Sequence, residues 1–267
     1  MAVKRKLYWY TKLFTEYIRM NFLTAMEYRA SFLIQVFGMV LNDIALLFFW
    51  WVLFQKVNII KGWDIKDVFT IYAIVASGFG LATGIFGNIT RLPLMINRGE
   101  LDHYLTLPKS PLFNILISKM SFSAWGDVLF GIAVFIFLVH GSFLELLLFI
   151  LVSIISGLIF VSFLVMLSSL TFFFESGEQL TEELTEAVIS FSLYPSSIFP
   201  QEIKIILFTF IPAALIGYLP AIIVKSFSLG SFLLLLLFLA VFMVLGITFF
   251  YRGMHRYASG SVYGPKI

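Results

Sequence analysis

The fold of this protein is decided by the stretch FLELLLFILVSIISGLIFVSFLVMLSSLTFFF, residues 143–174. The stretch contains one charged residue, Glu145, and its 32 residues exceed the roughly 20 helical residues that cross the apolar core of a bilayer. A helix of this length must tilt in the membrane or project into water. The sequence therefore indicates a membrane-spanning helix rather than the core of a water-soluble domain.

The composition of the whole chain supports this interpretation. Of its 267 residues, 60% are hydrophobic and 12% are charged, and the mean hydropathy is +0.99. A globular domain usually has about 25% charged residues, so we predict a polytopic membrane protein. The absence of Cys excludes a disulfide scaffold, a thiolate nucleophile and a Cys-ligated metal, and three His residues leave little for any other metal site. A formal charge of +3 is too small to indicate nucleic-acid binding.

Six stretches are long and apolar enough, or nearly so, to cross a bilayer. They are residues 31–54, 68–89, 112–139, 143–174, 187–199 and 231–251. The fifth stops at Pro200, and Pro212 and Pro220 interrupt the apolar stretch that follows it. Because proline breaks helices, we predict a broken or re-entrant hairpin at residues 201–224, which other helices must bury. The predicted fold is an all-α integral membrane protein with six transmembrane helices, an N-terminal amphipathic interfacial helix and this hairpin before the last span.

Residues 1–29 have the pattern of an amphipathic helix that lies along the membrane surface. They lack the apolar run and the small-residue cleavage site of a signal peptide. Apolar residues recur at helical spacing, at Leu7, Tyr10, Leu13, Phe14, Tyr17, Ile18, Phe22 and Ala25. The opposite face carries Arg5, Lys12, Glu16 and Arg19. This helix either anchors the chain or docks a partner.

The distribution of basic residues predicts the orientation. With six crossings, both termini lie on one side, and that side carries 13 of the 18 Lys and Arg residues. The other side carries Lys56, Lys61, Lys66, Lys204 and Lys225. We therefore expect both termini, the loop 91–111, the acidic segment 175–186 and the tail 252–267 to be cytoplasmic, with the six-helix membrane domain at residues 30–251.

Several kinds of chemistry are missing from the sequence. There is no GxxxxGK[ST] stretch and no Gly-Lys pair, so the chain cannot bind nucleotide through a P-loop. There is no HExxH, and no His lies within a predicted span, which excludes an intramembrane serine protease with a His base. We predict that the chain is not an enzyme. The small residues Ala76, Gly80 and Gly84 suit close helix packing.

Two carboxylates lie within predicted spans. Asp43, next to Asn42, is near the middle of the first span, and Asp127 is in the inner half of the third. An ionisable residue at such a depth is expensive and is a candidate functional residue. The alternative is that each faces the bundle interior as a packing contact.

The loop 91–111 has a patterned apolar and charged content. Leu94, Met95, Leu101, Tyr104 and Leu105 fall at helical intervals, and Arg98, Glu100, Asp102 and His103 form a charged face. Gly99 divides two short helical pieces, and Pro108 and Pro111 end the segment. A short charged helix joined to two spans can pass force from a soluble partner to the bundle; a solvated turn is the alternative.

The same loop carries a family resemblance. RGELDHYLTLPKSP, residues 98–111, resembles the G-x-LD-x-x-L-x-x-P signature of a bacterial branch of the type-2 ABC exporter permeases. Tyr194-Pro195, Ile198-Phe199-Pro200, Ile211-Pro212-Ala213 and Tyr218-Leu219-Pro220-Ala221 resemble the branch's Y-P…I-[YF]-P…P-[VA]…Y-x-P-A series. The basic, Tyr- and Ser-containing tail at residues 252–259 is also similar.

The resemblance implies a permease that has no ATPase domain. Such permeases work as homo- or heterodimers with two copies of a separate ATPase, which alone binds ATP and Mg²⁺, so no cofactor is expected here. It assigns ATPase coupling to Arg98, Gly99, Glu100, Leu101, Asp102, Tyr104, Leu105 and Pro108. It assigns an interfacial dock to Lys12, Glu16 and Arg19, and an outer gate to Tyr194, Pro195, Pro200, Pro212, Tyr218 and Pro220.

The expected function is export of an amphipathic or hydrophobic substrate, such as a drug, lipid or peptide, across a bacterial inner membrane. The first, second and fifth spans are expected to line the path. Two other functions fit the sequence. One is a proton-coupled secondary transporter that uses Asp43 and Asp127, and the other is a membrane scaffold subunit that does not transport.

Overall fold

The computed structural model describes residues 2–107, 110–174 and 176–257, with side chains from residue 8 onward. Helices joined by short turns make up these residues, and no strand occurs among them. The helices are α1 (Ala2–Glu27), α2 (Arg29–Phe54), α3 (Ile65–Phe86), α4 (Leu92–Asn97), α5 (Asp102–Leu105), α6 (Pro111–Ile117), α7 (Trp125–Val134), α8 (Phe143–Ser169), α9 (Gly177–Ser192), α10 (Gln201–Thr209), α11 (Leu219–Lys225) and α12 (Leu229–Met254). The predicted all-α fold is confirmed.

Five helical segments are long and apolar enough to cross a bilayer. They are Arg29–Phe54, Ile65–Asn97, Phe122–Val139, Phe143–Phe172 and Leu229–Met254. The pair formed by Gln201–Thr209 and Ala214–Lys225 passes the same test but is bent by 79°. Within the described ranges the chain therefore has five candidate spans, or six if the bent pair is one span.

Two of the long helices start at sequence-encoded caps. At α3, the Asp64 side chain accepts from the backbone N–H of Asp67, and the Asp67 side chain accepts in return from the N–H of Asp64. At α8, Ser142 and Glu145 form the same reciprocal arrangement. Such boxes satisfy backbone N–H groups that a helix start leaves unpaired. They fix where each apolar segment begins.

The centre of the bundle is built from α3 and α8, which are mostly buried, whereas α2 and α12 are mostly exposed. Glycines let the central helices touch backbone to backbone. A Cβ added to Gly80 would lie 2.6 Å from the carbonyl oxygen of Ala124, beside α7, and one added to Gly84 would lie 3.2 Å from the Trp125 ring nitrogen. The predicted packing role of Gly80 and Gly84 is confirmed, whereas Ala76 instead lines a cavity.

The third predicted stretch, residues 112–139, is interrupted, which corrects its assignment as one continuous span. α6 ends at Ile117, and the candidate span begins only at Phe122. Side chains outside the stretch hold the break. Asn88 donates to the carbonyl oxygen of Ile115 and to Ser118 Oγ, and the side chain of Asn21 accepts from the backbone N–H of Met120. These bonds satisfy the Ile115 carbonyl and the Met120 N–H at the break.

The fifth stretch, residues 187–199, also differs from its predicted form. Its first residues belong to α9, which begins earlier, at Gly177, and has 16 residues. The hairpin follows after residues 193–200, and its sharp bend falls at residues 210–213, which include the buried Pro212. Proline cannot donate the hydrogen bond that would continue α10. The predicted broken hairpin is confirmed, and it supplies the sixth candidate crossing.

α3 runs through the bundle from the loop 55–64 at one end to α4 at the other. We call one the coupling end: it holds α4, α5, α6 and the adjoining part of α1. There Asn21 of α1 also donates to the carbonyl oxygen of Ser118. We call the other the hairpin end: it holds α10 and the end of α11, where Lys225 Nζ pairs with Asp67 at 2.5 Å.

Candidate functional site

The predicted coupling segment forms two short helices at the coupling end. α4 and α5 are separated by a turn in which Gly99 has φ of +69°. This left-handed conformation is costly for residues with a Cβ, which explains glycine at the division that the sequence predicted. α4 continues from α3 through a 3₁₀ turn, and α5 leads toward α6. The segment is therefore tied by the chain to two helices of the bundle.

Side-chain contacts fix this segment to other elements. Leu101 is fully buried, and its backbone N–H donates to the Tyr257 hydroxyl at 3.0 Å, just beyond α12. Asn97 Nδ2 donates to Glu178 Oε2 at 2.7 Å, on α9, and the hydroxyls of Tyr104 and Ser118 are 3.0 Å apart. A displacement of the segment must therefore strain its contacts with α9, with Tyr257 just after α12, and with Ser118 at the end of α6.

The outer face of the segment is charged and exposed. Arg98, Glu100 and His103 face outward, and Leu105 is 40% exposed beside them. Arg98 and Glu100 approach to 4.0 Å, a surface pair of a kind that contributes about 0–1 kcal/mol. The structure thus combines a buried inner anchor with an outer face that is free for a partner. Pro108 lies outside the described residues.

Tyr257 is a part of this arrangement that the sequence analysis missed. Burial raises the pKa of its hydroxyl above the ordinary value, and Asp102 also raises it. A tyrosine hydroxyl is protonated near neutral pH in any case, so it can donate to the Asp102 carboxylate while it accepts from the Leu101 N–H. A tyrosine in a basic tail gives no sequence signal for such a contact with a loop residue that precedes it by 156 residues.

We expect Tyr257→Phe to loosen α5 from the bundle. The substitution removes the acceptor for the Leu101 N–H, and a lost hydrogen bond of this kind costs about 1 kcal/mol. Amide hydrogen exchange of residues 101–107 in nanodiscs should become about fivefold faster. Tyr28→Phe, at an exposed tyrosine, is the control. Unchanged exchange in the Tyr257 variant would show that the hydroxyl does not anchor α5.

The predicted dock on α1 lies beside this segment. Lys12, Glu16 and Arg19 are exposed, as the amphipathic pattern predicted, and Tyr17 packs inward. The Tyr10 ring of α1 packs edge-on against Phe113 of α6, with ring centroids 5.3 Å apart, so α1 lies against the coupling end. Ile18 and Phe22 are more exposed than predicted, because Asn21 occupies the inner face.

The acidic segment faces a cleft within the chain. Glu178, Glu182 and Glu186 of α9 line a cavity of 330 Å³ together with Arg91. The run has no basic residue of its own, but the fold brings one to it from the start of α4. Glu175 lies outside the described residues.

The two intramembrane carboxylates meet in one cavity. Asp43 of α2 and Asp127 of α7 are 7% and 6% exposed, and both line a cavity of 360 Å³. The Tyr72 hydroxyl donates to Asp43 Oδ1 at 2.6 Å. Asn42 is exposed and lies on the same wall. The sequence analysis identified Asp43 and Asp127 separately, but it predicted neither their convergence nor the part played by Tyr72.

The residues assigned to an outer gate gather toward the hairpin end. Tyr194 packs edge-on against Trp50 with ring centroids 5.5 Å apart, and Tyr218 packs on Trp63 at 5.2 Å. Trp63 also lies 5.5 Å from Lys225 Nζ. The three prolines Pro195, Pro212 and Pro220 are buried, whereas Pro200 is exposed before α10. Tyr218 thus joins the hairpin to the turn before α3, and Tyr194 joins the turn after α9 to α2.

No three His, Asp or Glu side chains in the described ranges are grouped so that they could hold a metal ion. The fold and these sites define a polytopic helical membrane protein with an anchored, charged segment at one end. The model of the ABC-2 family transporter proteins matches residues 40–261. The chain belongs to this family, and it is an ABC-type transport permease.

The family places the chain in a general class of assembly. Its permeases are multi-pass membrane subunits, generally non-catalytic, and the family generally implies an ABC ATPase partner. No curated protein and no solved structure matches the chain.

Proposed function

We propose that this permease exports an amphipathic or hydrophobic substrate, such as a drug, lipid or peptide, and that a separate ATPase drives it. The observation that carries the proposal is the α4–α5 segment. Its outer face is charged and exposed, and its inner face is anchored to α9, to α6 and to the end of α12. Such a segment can pass a push from a soluble protein to several helices at once.

The coupling would work through differential contact. ATPase subunits that close on ATP and Mg²⁺ press on α5 and on the exposed face of α1, and the bundle shifts as a rigid body. ATP must favour one arrangement of the bundle and the substrate must favour the other, since only differential binding can couple two sites. In this proposal Lys12, Glu16 and Arg19 contact the ATPase together with Arg98 and Glu100.

The proposed assembly contains two permease chains and two ATPase copies. Most of the surface of α2 is exposed in the single chain, including Phe37, Leu41 and Phe48, which is consistent with a second permease chain beside it. The cavity that contains Asp43 lies between α2, α3, α7 and α9. We propose that this region becomes the substrate path when two chains meet.

We further propose that the coupling end faces the cytoplasm of a bacterial cell and that the hairpin end faces outward. The excess of basic residues at the coupling end supports this orientation. In this arrangement Tyr194, Pro195, Pro200, Pro212, Tyr218 and Pro220 surround the outer exit. Their aromatic contacts with Trp50 and Trp63 would keep it closed at rest.

A cysteine crosslink tests the coupling role. The chain has no native cysteine, so Glu100→Cys creates a unique attachment point for a benzophenone maleimide in membranes of the native host. We expect a photo-adduct with a soluble protein that contains a P-loop, identified by mass spectrometry. Glu202→Cys, an exposed position at the hairpin end, is the matched control and should give no such adduct. Full labelling at position 100 without an ATPase adduct would remove the coupling role.

A further inference from the structure

The cavity between α2, α3, α7 and α9 is lined by acidic side chains without a basic counterpart in the described part of the chain. It contains the carboxyl groups of Asp43 and Asp127, and no Lys, Arg or His of the described residues lines it. Both side chains are more than nine-tenths buried. Charges at such sites are ordinarily paired, because an unpaired buried charge is costly. The cavity therefore lacks a positive partner for its two acids.

Asp43 shows where that partner is missing. Its Oδ1 accepts the hydrogen bond from the Tyr72 hydroxyl at 2.6 Å. Its Oδ2 is buried and has no hydrogen-bond partner in the described chain. Buried polar atoms are nearly always satisfied, and an exception requires an explanation. The tyrosine fixes the orientation of the carboxylate, which leaves one oxygen for a ligand.

The remaining walls restrict the chemistry of that ligand. Phe79 and Tyr72 place aromatic rings at the cavity, and Met39, Leu46 and Ile189 make much of the rest apolar. Aromatic faces attract organic cations, while an apolar wall disfavours a hydrated ion. Two carboxyl groups do not provide the six to eight oxygens that Ca²⁺ takes. The cavity volume of 360 Å³ is within the usual range of ligand pockets, about 300–1,000 Å³.

From this geometry we infer that the cavity is a binding site for the positively charged head group of an amphipathic substrate, such as an alkylammonium. The head group lies between Asp43 and Asp127, and its alkyl tail follows the apolar wall formed by α2 and α9. This inference rests on the proposed function, since it names the class of substrate that the permease carries. It gives a role to two acids that have no basic partner among the described residues of the cavity.

Binding of a quaternary ammonium tests the inference without the ATPase. The purified permease in nanodiscs is titrated with radiolabelled decyltrimethylammonium below its micellar concentration, with binding to empty nanodiscs subtracted. Decyldimethylamine oxide, nearly identical in size but uncharged overall, serves as the neutral competitor. We expect saturable binding of the cation and at least tenfold weaker competition by the amine oxide.

Substitutions in the cavity locate the site. We expect Asp43→Asn and Asp127→Asn each to weaken binding of the ammonium at least tenfold, and Asp43→Glu to retain part of it. Glu202→Gln neutralises an exposed carboxylate outside the cavity and should leave binding unchanged. Each variant is compared only after it elutes as a single species in size-exclusion chromatography. If an asparagine variant does not, the preference of the native chain for cation over amine oxide still decides.

Three results would overturn the inference: no saturable binding, equal binding of cation and amine oxide, or full affinity in both asparagine variants. A quaternary ammonium cannot exchange a proton, so a site that only relays protons would give the first of these results. Because the assay contains no ATPase, its failure leaves the coupling proposal standing. Conversely, a missing crosslink at position 100 would not affect binding in the cavity.

Discussion

Gly99→Val will detach the coupling segment while the rest of the bundle stays folded. Gly99 has φ of +69° between α4 and α5, and a left-handed conformation costs a residue with a Cβ about 1–2 kcal/mol. Valine, which is branched at Cβ, is especially unsuited to it. The chain can relieve this strain by withdrawing Leu101 from its buried position. The population of the detached segment should then rise about 5- to 30-fold.

Two measurements report the detachment of the coupling segment. Hydrogen exchange of residues 101–105 in nanodiscs should accelerate by the same factor, while exchange in α3 and α8 stays unchanged. In the Glu100→Cys background, the yield of the ATPase adduct should fall severalfold, because the segment no longer holds its orientation. Loss of helical content throughout the protein would instead indicate that Gly99 supports the whole fold.

Gly99→Asn is the matched control for this substitution. Asparagine tolerates the left-handed region better than other residues with a Cβ. It should therefore retain most of the crosslink yield and nearly native exchange. If valine and asparagine behave alike, backbone conformation at position 99 is not what positions α5.

The sequence predicted which segments enter the membrane better than it predicted which way their side chains face. Hydropathy located α2, α3, α8 and α12, since each is a nearly uninterrupted apolar segment, and the prolines located the broken hairpin. The break before α7 was missed, because the partners that stabilise it, Asn21 and Asn88, lie in other parts of the chain. Lys119, a single charged residue between two apolar runs, is too weak a signal to predict a break.

The candidate sites show the same limit. Periodicity and Gly99 predicted the two short helices of the coupling segment, because those signals are local. The convergence of Asp43 with Asp127 depends on how α2 and α7 are rotated about their axes. Both helices carry apolar residues on nearly all of their faces, so the hydropathy pattern does not determine that rotation. Tyr72 and Tyr257 were missed because the residues they bond are distant in sequence.

Glycines of α3 and α8 bring the two central helices into close contact. A Cβ added to Gly157 would lie 2.5 Å from the carbonyl oxygen of Gly78. A Cβ added to Gly78 would lie 3.1 Å from the carbonyl oxygen of Ser153. The two backbones are in contact here, so no side chain can rotate away to make room.

Gly157→Leu will therefore force α3 and α8 apart. Overpacking of this kind costs about 3 kcal/mol, the upper end of the usual range, and should lower the melting temperature by about 10 °C. The melting temperature is measured by heating the detergent-solubilised protein and recording the remaining monodisperse peak. Gly38→Leu is the control, since no atom lies within 4 Å of a Cβ at that position.

An alanine pair gives the sharper version of this test, because the two positions should respond with opposite signs. In a helix, alanine is favoured over glycine by about 1 kcal/mol, so Gly38→Ala should raise the melting temperature. At Gly157 the same methyl group meets backbone atoms of Gly78, and the clash should outweigh that gain and lower the melting temperature. If both alanine variants are more stable than the native chain, then α3 and α8 are not in backbone contact. The orientation of α3, which presents Tyr72 to Asp43, would then need another cause.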